Sequence, residues 1–442
     1  MIVFLETLGC SRNQVDSEIM LGKLVAKGHG LTDDPSCAQV IIVNTCGFIA
    51  SASDEAVDVL LEMAKFKETG RCERLIATGC LAQRYKDDAE LVSLLPEVDA
   101  FLGTAACDQI VAAVENKENK TLTLFPDPNK RGFQDLSETR ERITGHYAYI
   151  KVSEGCNRKC TYCIIPQLRG IQRSRPTEDI CKEAGAMVSQ GVKEIILTAE
   201  NTTDYGQDFS DDTGFEQVLA DLAGTLGQTQ TWIRFLYTHP KTLTASMVET
   251  VKQHKHICSY YDVPIQHASS AVLKKMGRPY TIEDLYALFN TIRKIDPDAA
   301  VRTTLIVGFP GETEQDFERL MTFITDIRFD HLGVFIYSDS EDLKSHRFTD
   351  HVPREIAEQR HDTIMAAQAK ISKTVNEHHV GKVLDVLVEE NPEPGVYIGR
   401  TMFQAPEVDG MTFVYADNLE IGTIVKVKIT DAFEYDIAGE MV

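Results

Sequence analysis

Short runs of apolar residues recur along most of the chain, and between them apolar residues return at every third or fourth position. A short run that is apolar throughout is typical of a strand buried on both faces, whereas the wider spacing is typical of a helix with one buried face. Strands and helices that alternate in this way predict parallel sheets covered by helices. The hydrophobic pattern therefore places most of the chain in the α/β class.

The first part of the chain has three such runs, and a cysteine follows closely after each. The runs cover residues 2–5, 40–43 and 75–77, and the cysteines are Cys10, Cys46 and Cys80. Helices are predicted over residues 15–27 and, after a capping signal formed by Ser51 and Asp54, through residue 64. Ligands of parallel sheets lie beyond the carboxyl ends of the strands, so we expect the three cysteines to meet at that edge.

A second alternation of strands and helices follows a polar segment with prolines and glycines. Strands are predicted over residues 149–152, 194–197, 232–237, 260–265, 300–307 and 332–337. Consecutive βα units of this kind indicate a parallel sheet that curls into an open barrel. After a charged helix at residues 353–378, valine and tyrosine alternate with polar residues, which is typical of a small β-barrel. We predict an N-terminal parallel α/β domain at 1–125, a linker at 126–145, an open (βα)6 barrel with a trailing helix at 146–379, and an all-β barrel at 380–442.

Composition and charge narrow the class of protein and its partners. No apolar run is long enough to span a membrane, and the N-terminus lacks a basic export signal, so we expect a cytoplasmic protein with no membrane partner. The formal net charge is −22, which argues against loose attraction to nucleic acid and suits a cationic partner. The alternative is that this charge merely keeps the protein soluble.

Eleven cysteines, an odd number, occur in this large and apparently cytosolic chain, so metal binding or catalysis is expected rather than a disulfide framework. Cys156, Cys160 and Cys163 follow the first strand of the barrel as C-x3-C-x2-C, and thiolates are the ligands of iron–sulfur clusters. A structural zinc site is the alternative for this loop. For Cys10, Cys46 and Cys80 the alternative is buried free thiols, and that reading is preferred for Cys37, Cys72, Cys107, Cys181 and Cys258.

The C-x3-C-x2-C loop, with Tyr162 before its last cysteine, resembles that of the radical S-adenosylmethionine (SAM) superfamily. The resemblance implies a [4Fe–4S] cluster that binds SAM at its open iron and cleaves it to a 5′-deoxyadenosyl radical. It also implies SAM contacts at the backbone of Tyr162 in this loop and, where barrel strands end, at Glu200, Gln266, Gly308 and Gly311. Ordinary strand-to-helix turn chemistry is the alternative for the two glycines.

Longer motifs resemble the radical SAM methylthiotransferase family over nearly the whole chain. They are Gly9-Cys10 through Glu18, Asn44-Thr45-Cys46-Gly47-Phe48-Ile49, Thr78-Gly79-Cys80, Ser153 through Gly170, and Arg173-Ser174-Arg175. The C-terminal barrel resembles the TRAM domain of the same family. The resemblance implies a second [4Fe–4S] cluster on Cys10, Cys46 and Cys80, and two SAM molecules per turnover. No catalytic residue is predicted beyond the ligands of the two clusters.

Within that family, the motifs around Cys10 and Cys46 are similar to those of enzymes that modify ribosomal protein twelve of the small subunit. The resemblance implies methylthiolation of an aspartate β-carbon in that protein or in the small ribosomal subunit, with a separate electron donor. Two positions depart from the family: Glu200 stands where glutamine is more usual, and residues 337–342 read Tyr-Ser-Asp-Ser-Glu-Asp instead of Tyr-Ser-x-Glu-Glu-Gly.

Two other functions remain as alternatives from the sequence. They are methylthiolation of adenosine in tRNA, and a non-catalytic iron–sulfur sensor that binds RNA through its C-terminal barrel. Residues 380–442 hold four basic and twelve acidic residues, a net charge of −8, so we expect this barrel to repel a phosphate backbone. A tRNA partner is therefore disfavoured.

Overall fold

The computed structural model describes residues 1–88, 91–118, 120–131 and 140–442. Its N-terminal part is a parallel sheet with the strand order β2-β1-β3-β4-β5-β6. The strands are β1 (Ile2–Thr7), β2 (Gly30–Leu31), β3 (Val40–Thr45), β4 (Arg74–Gly79), β5 (Ala100–Leu102) and β6 (Leu122–Leu124). The helices are α1 (Ser11–Ala26), α2 (Ala50–Ala64), α3 (Phe66–Thr69), α4 (Cys80–Arg84), α5 (Leu91–Leu94) and α6 (Ile110–Glu115). The predicted parallel α/β sheet is confirmed.

The start of α2 differs from the capping signal predicted at Ser51. The helix begins at Ala50, its N-cap is Ile49, and that cap makes no side-chain hydrogen bond, so Ser51 lies inside the first turn. The backbone N–H of Ala50 instead donates to Ser338 Oγ at 3.3 Å, in a loop far along the chain. The Ser51 prediction was wrong because a tertiary contact supplies an acceptor that the local sequence cannot reveal.

The central part holds six parallel strands in two three-stranded sheets, ordered β11-β10-β7 and β12-β13-β14. An isolated parallel bridge from Ile233 to Ile257 joins the end of one sheet to the start of the other. These strands are β7 (Tyr147–Lys151), β10 (Glu194–Thr198), β11 (Trp232–Phe235), β12 (Tyr260–Asp262), β13 (Ala300–Val307) and β14 (His331–Ile336). Two short strands, β8 (Ser153–Glu154) and β9 (Arg173–Ser174), form a separate antiparallel pair. The open barrel predicted from the sequence is confirmed.

Helices cover the outside of this barrel, and a long helix leads out of it. They are α7 (Ile165–Arg169), α8 (Thr177–Ser189), α9 (Phe215–Leu226), α10 (Ala245–Gln253), α11 (Ser270–Met276), α12 (Ile282–Ile295), α13 (Glu314–Ile327) and α14 (Arg354–Glu377). Helices α12 and α13 begin with capping boxes at Thr281 and Thr313, which satisfy the free N–H groups of their first turns. In the described part of the chain, no helix combines the length and the apolar character that a membrane span requires.

The C-terminal part is a closed barrel with the strand order β15-β16-β17-β19-β18. Its strands are β15 (Val383–Glu393), β16 (Val396–Thr401), β17 (Thr412–Tyr415), β18 (Ile424–Ala432) and β19 (Ile437–Met441). Val386, Val388, Val414 and Val427 fill its interior. The predicted small all-β barrel is confirmed.

Buried charges join the three parts. Asp409 of the C-terminal barrel accepts from Tyr260 Oη at 2.6 Å, and Arg302 Nε lies 3.3 Å from it. The polar segment predicted as a linker is described only in part, since residues 132–139 lie outside the described residues. Its described beginning is anchored: Asn129 Oδ1 accepts from the backbone N–H of Ile171 at 2.8 Å, and Arg131 Nη1 lies 3.4 Å from Asp16.

Candidate active site

Cys10, Cys46 and Cys80 follow β1, β3 and β4, which are neighbours in the N-terminal sheet. Adjacent strands lie about 4.8 Å apart, so the three loops emerge side by side at one edge. The loops also touch: a Cβ added to Gly9 would lie 3.2 Å from Cys46 Sγ, and one added to Gly47 would lie 3.1 Å from the carbonyl carbon of Cys80. Glycine at both positions lets the three cysteine loops approach one another.

The thiols of this N-terminal triplet differ in their electrostatic surroundings. Burial would raise the pKa of Cys10, but Arg12 and Arg169 outweigh it and hold that pKa below its ordinary value. Burial raises the pKa of Cys46, and it raises the pKa of Cys80 to about 12. Arginine charges beside the thiols favour their ionised form, which is the form that binds metal.

Cys156, Cys160 and Cys163 lie on the loop between β8 and α7, which runs over the carboxyl end of the barrel. The loop is tied to its surroundings by backbone hydrogen bonds, from Cys156 N to Gly170 O at 3.0 Å and from Thr161 N to Met276 O at 3.0 Å. Burial raises the pKa of Cys156 to about 11 and that of Cys163 to about 12. Metal binding at this triplet must therefore displace protons.

The donor set of each triplet can be compared with the group it would hold. Within the described ranges, no three cysteine, histidine, aspartate or glutamate side chains are arranged to share a single metal ion. A cubane of four irons is larger than one ion, and its usual protein ligands are cysteine thiolates. By the kind and number of their donors, the two triplets fit clusters that each leave one iron open.

The residues predicted to contact SAM lie at the same end of the barrel. Tyr162 is packed edge-to-face on Phe309 in the turn after β13, and its hydroxyl accepts from Arg278 Nε at 2.9 Å. Gln266 has φ +69° and pairs with β13 through a backbone hydrogen bond to Thr304 O at 2.9 Å.

Gly308 and Gly311 have φ of +75° and +79°, so the turn after β13 requires glycine at both positions. The N–H of Gly308 donates to the Glu312 carboxylate. This contact is the ordinary turn chemistry that the sequence left as an alternative.

Glu200 follows β10, and its carboxylate is buried with no hydrogen-bond partner on either oxygen. Arg12 Nε lies 3.3 Å from Glu200 Oε1, and Arg169 Nε lies 3.7 Å from it. A buried carboxylate with unfilled acceptor sites beside the Cys156 loop fits the ammonium group of a methionine. Burial raises the pKa of the Glu200 carboxyl, while the charges of Arg12 and Arg169 act in the opposite direction and favour its ionised form.

Sequence reasoning missed the group of buried charges that lies between the two triplets. Arg169 donates to Glu154 at 2.7 Å and to Asn13 at 2.6 Å, and its Nη2 lies 3.9 Å from Cys80 Sγ. Asp16 accepts from Lys151 at 2.7 Å and from Arg169 at 3.1 Å. Asp16 and Arg169 lie inside motifs noted in the sequence, and Lys151 lies in a predicted buried strand, but their pairing across the chain is not visible in the sequence.

The other cysteines lie outside both triplets. Cys72, Cys107 and Cys258 are buried free thiols, as expected, whereas Cys181 is a free thiol that is only partly buried. Cys37 is exposed, so the prediction of a buried thiol was wrong there, because its short 3-10 turn lies on the surface.

Comparison with known proteins agrees with this division of the chain. The model of the radical SAM superfamily matches residues 150–324, that of uncharacterized protein family UPF0004 matches residues 2–103, and that of the TRAM domain matches residues 380–442. Among solved structures, the radical SAM methyltransferase TsrM from Kitasatospora setae aligns with a TM-score of 0.54 at 12% identity, covering 76% of this chain and 72% of that one. That likeness concerns the fold alone.

Curated relatives match over their full length. The ribosomal protein uS12 methylthiotransferase RimO of Desulfosudis oleivorans is 48% identical, with all of both chains covered. The protein of the same name from Clostridioides difficile is 45% identical, over 99% of this chain and 98% of that one. The identity extends over the whole length, and the cysteine-bearing loops and the C-terminal barrel are in place. The chain therefore belongs to the family of ribosomal protein uS12 methylthiotransferases, which are radical SAM enzymes.

Proposed function

We propose that this protein transfers a methylthio group to the β-carbon of an aspartate in ribosomal protein uS12, free or within the small ribosomal subunit. The observation that carries the proposal is the pair of cysteine triplets. Arg169 lies 3.9 Å from Cys80 Sγ, and both Arg169 and Arg12 lie beside Glu200 at the end of the barrel, at 3.7 and 3.3 Å. Its three domains would be the N-terminal α/β domain at residues 1–125, the open barrel with its trailing helix at 146–379 and the C-terminal β-barrel at 380–442, with a linker at 126–145. We expect it to act in the cytoplasm, where ribosomes are assembled.

The two triplets would divide the chemistry. Cys156, Cys160 and Cys163 would hold one [4Fe–4S] cluster, and Cys10, Cys46 and Cys80 the other. When bound, these clusters and SAM supply hydrogen abstraction at the barrel and sulfur and methyl transfer at the N-terminal domain, with two SAM molecules consumed per turnover and electrons from a separate donor.

The chain's own residues would hold and orient SAM at the barrel. Glu200, buried and with open acceptor sites, would accept from the methionine ammonium. The backbone at Tyr162, with Gln266, Gly308 and Gly311, would surround the nucleoside. Phe309 is buried and the ring of Tyr162 packs against it, and this apolar contact would help to exclude water from this end of the barrel.

The charge of the C-terminal barrel supports a protein substrate rather than tRNA. Eight of its acidic side chains are exposed, against three exposed lysines. The others are used internally: Glu389 pairs with Arg400 at 2.6 Å, and Asp409 is buried against the central barrel. Glu389 is therefore not available to a partner, whereas Glu390 and Glu393 are exposed. Such a surface attracts the basic proteins of the ribosome and repels phosphate.

The decisive experiment is an anaerobic turnover with reconstituted enzyme, SAM, a reductant, and either uS12, small subunits or tRNA. Mass spectrometry should find a methylthio group on an aspartate of uS12, with release of 5′-deoxyadenosine. Methylthiolated adenosine in tRNA, with uS12 unmodified, would refute the protein substrate. An absence of SAM cleavage under every reductant would favour the sensor instead.

Cluster content is tested separately by replacing each triplet with alanine. Each triple variant should retain about half of the iron and sulfide of the wild type, since each triplet binds one cluster. Cys37→Ala, outside both triplets, is the control and should retain all of it. If the N-terminal triple variant kept its full iron content, the proposal of two clusters would be wrong. Release of 5′-deoxyadenosine should survive in that variant while methylthio product disappears.

A further inference from the structure

The loop after β14 contacts the N-terminal domain through one arginine. Arg84 ends α4, and its side chain is only 4% exposed. Its Nε donates to Asp342 Oδ2 at 2.8 Å and its Nη2 donates to Asp342 Oδ1 at 2.7 Å. The same Nη2 also donates to Ser340 Oγ at 2.8 Å. A two-point arginine–carboxylate contact fixes orientation as well as distance.

The third nitrogen of the Arg84 guanidinium, Nη1, contacts the loop that carries Cys46. Arg84 Nη1 donates to the carbonyl of Gly47 at 2.8 Å, and Gly47 follows Cys46 directly. The helix that ends at Arg84 begins at Cys80, one turn earlier. The Arg84 side chain therefore links the residue after Cys46, and the helix that begins at Cys80, to the loop after β14 of the central barrel.

Apolar packing continues this contact towards the other triplet. Leu343, next to Asp342, forms one buried cluster with Cys80, Ile164 and Leu168. Ile164 follows Cys163 directly, so residues on both sides of the interface pack at this point. The loop after β14 thus contacts structures that carry ligands of both triplets.

We propose that Arg84 and Asp342 are positioning residues that set the distance and orientation between the two cysteine triplets. The proposal rests on the function proposed above, in which the same substrate aspartate must lose a hydrogen at the barrel site and receive the methylthio group from the N-terminal site. In that function, radical formation needs SAM and the barrel triplet but not the N-terminal cysteine triplet, whereas methylthio transfer needs both sites in register. Because a misplacement of about 1 Å can reduce a rate by about a hundredfold, loosening this contact should uncouple the two steps.

A purely structural ion pair predicts a different result. The loss of a contact that only stabilised the fold would lower 5′-deoxyadenosine and methylthio product together, through the amount of folded enzyme. The ratio of the two products therefore separates positioning from stability.

The test compares Asp342→Ala with Asp339→Ala in the full-length, reconstituted enzyme. Asp339 lies in the same loop but bonds His346 Nδ1 at 2.8 Å and Tyr337 Oη at 2.9 Å, both in the central part. We expect Asp342→Ala to raise the ratio of 5′-deoxyadenosine to methylthiolated uS12 about tenfold, with 5′-deoxyadenosine release within about twofold of wild type. Asp339→Ala should leave the ratio unchanged, and Asp342→Glu should restore most of the coupling.

Amide hydrogen exchange gives a readout that does not depend on turnover. In Asp342→Ala, peptides covering residues 46–50 and 80–85 should exchange faster, while those of the central barrel should not. If Asp342→Ala proves too unstable, Ser340→Ala removes the hydrogen bond from Arg84 to Ser340 but keeps the Arg84–Asp342 ion pair, so it should shift both readouts in the same direction, by less.

An unchanged ratio in Asp342→Ala, or unchanged exchange at residues 80–85, would overturn the positioning role. If wild-type enzyme left uS12 unmodified, the proposed function would fail, and the exchange measurement would still decide whether Arg84 holds the cysteine supports in place.

Discussion

Glu194→Gln should weaken the attachment of the C-terminal barrel to the rest of the protein. Glu194 begins β10, and its carboxylate is fully buried. Its Oε1 accepts from Arg234 Nε at 2.6 Å, and its Oε2 accepts from Arg400 Nη2 of the C-terminal barrel at 2.7 Å. The substitution keeps the size of the side chain and removes its charge.

The loss of stability follows from the burial of the two arginines, whose side chains are 0% and 5% exposed. Removing one partner of a buried ion pair costs about 3–5 kcal/mol, because the remaining charge loses its compensation. Arg400 keeps Glu389 and the carbonyl of Gln404, and Arg234 keeps the carbonyl of Met402. We therefore expect the lower end of the range, about 3 kcal/mol.

The effect should depend on pH. Burial would raise the pKa of Glu194, but Arg234 and Arg400 outweigh it and hold the folded-state pKa below the ordinary value. A carboxyl of lowered pKa contributes stability that is present above the unfolded-state pKa of about 4.3 and is lost as pH falls through the folded-state pKa. The difference between wild type and Glu194→Gln should be complete at pH 7 and shrink below about pH 4.

The single tryptophan, Trp232, reports on this interface, because it is buried in one cluster with Leu387 and Ala405 of the C-terminal barrel. Guanidinium unfolding followed by its fluorescence measures the change. Glu389→Gln, which removes the partly exposed second partner of Arg400, should cost less than Glu194→Gln, because Arg400 keeps the fully buried Glu194. A Glu194→Gln midpoint equal to that of wild type at pH 7, or a difference that persists undiminished at pH 3, would refute this reasoning.

Three further predictions concern other parts of the molecule. Gly155 has φ +78°, and in Gly155→Ala the new Cβ would lie 2.2 Å from Ile171 O, so the iron content after reconstitution should fall towards half of wild type. Gly185→Ala, whose Cβ would meet no atom within 4 Å in α8, is the control and should keep the iron content of wild type. Asp16→Asn should destabilise the protein by about 3 kcal/mol or more, measured by chemical unfolding, because Lys151 and Arg169 lose a buried counter-ion; a loss below about 1 kcal/mol would contradict this. The double variant Glu390→Lys/Glu393→Lys should keep the melting temperature of wild type but bind uS12 more weakly in low salt, whereas Lys382→Glu should bind uS12 more tightly. Equal affinities of wild type and both variants for uS12 would exclude electrostatic steering by this surface.

The regular elements could be predicted because their signal is local. The strand predicted at residues 40–43 is β3 (Val40–Thr45), since a strand buried on both faces is apolar throughout. The same logic located the loops that carry Cys10, Cys46 and Cys80. The helix predicted at residues 15–27 is α1 (Ser11–Ala26), whose true start depends on Cys10 as its N-cap.

The contacts between the parts could not be predicted. Asp16 and Arg169 are 153 positions apart, and a charged residue gives no sign of its partner at such a separation. The acceptor that meets Ala50 lies 288 positions away. Counting charges on residues 380–442 gave the sign of the surface but wrongly included Asp409 and Glu389 in it, because burial against another part of the chain is a tertiary property.

The buried charges that cross each boundary make the three recognisable modules poor candidates for separate expression. A fragment that ends at residue 125 would expose Asp16 and Glu18 to water without Lys151, Arg169 and Arg140. A fragment that begins at residue 146 would leave Lys151 and Arg169 without Asp16, with only Glu154 and the more distant Glu200 as counter-ions among their described ion pairs. Work on one cluster at a time is therefore better done by exchanging cysteines in the intact chain than by dividing the gene.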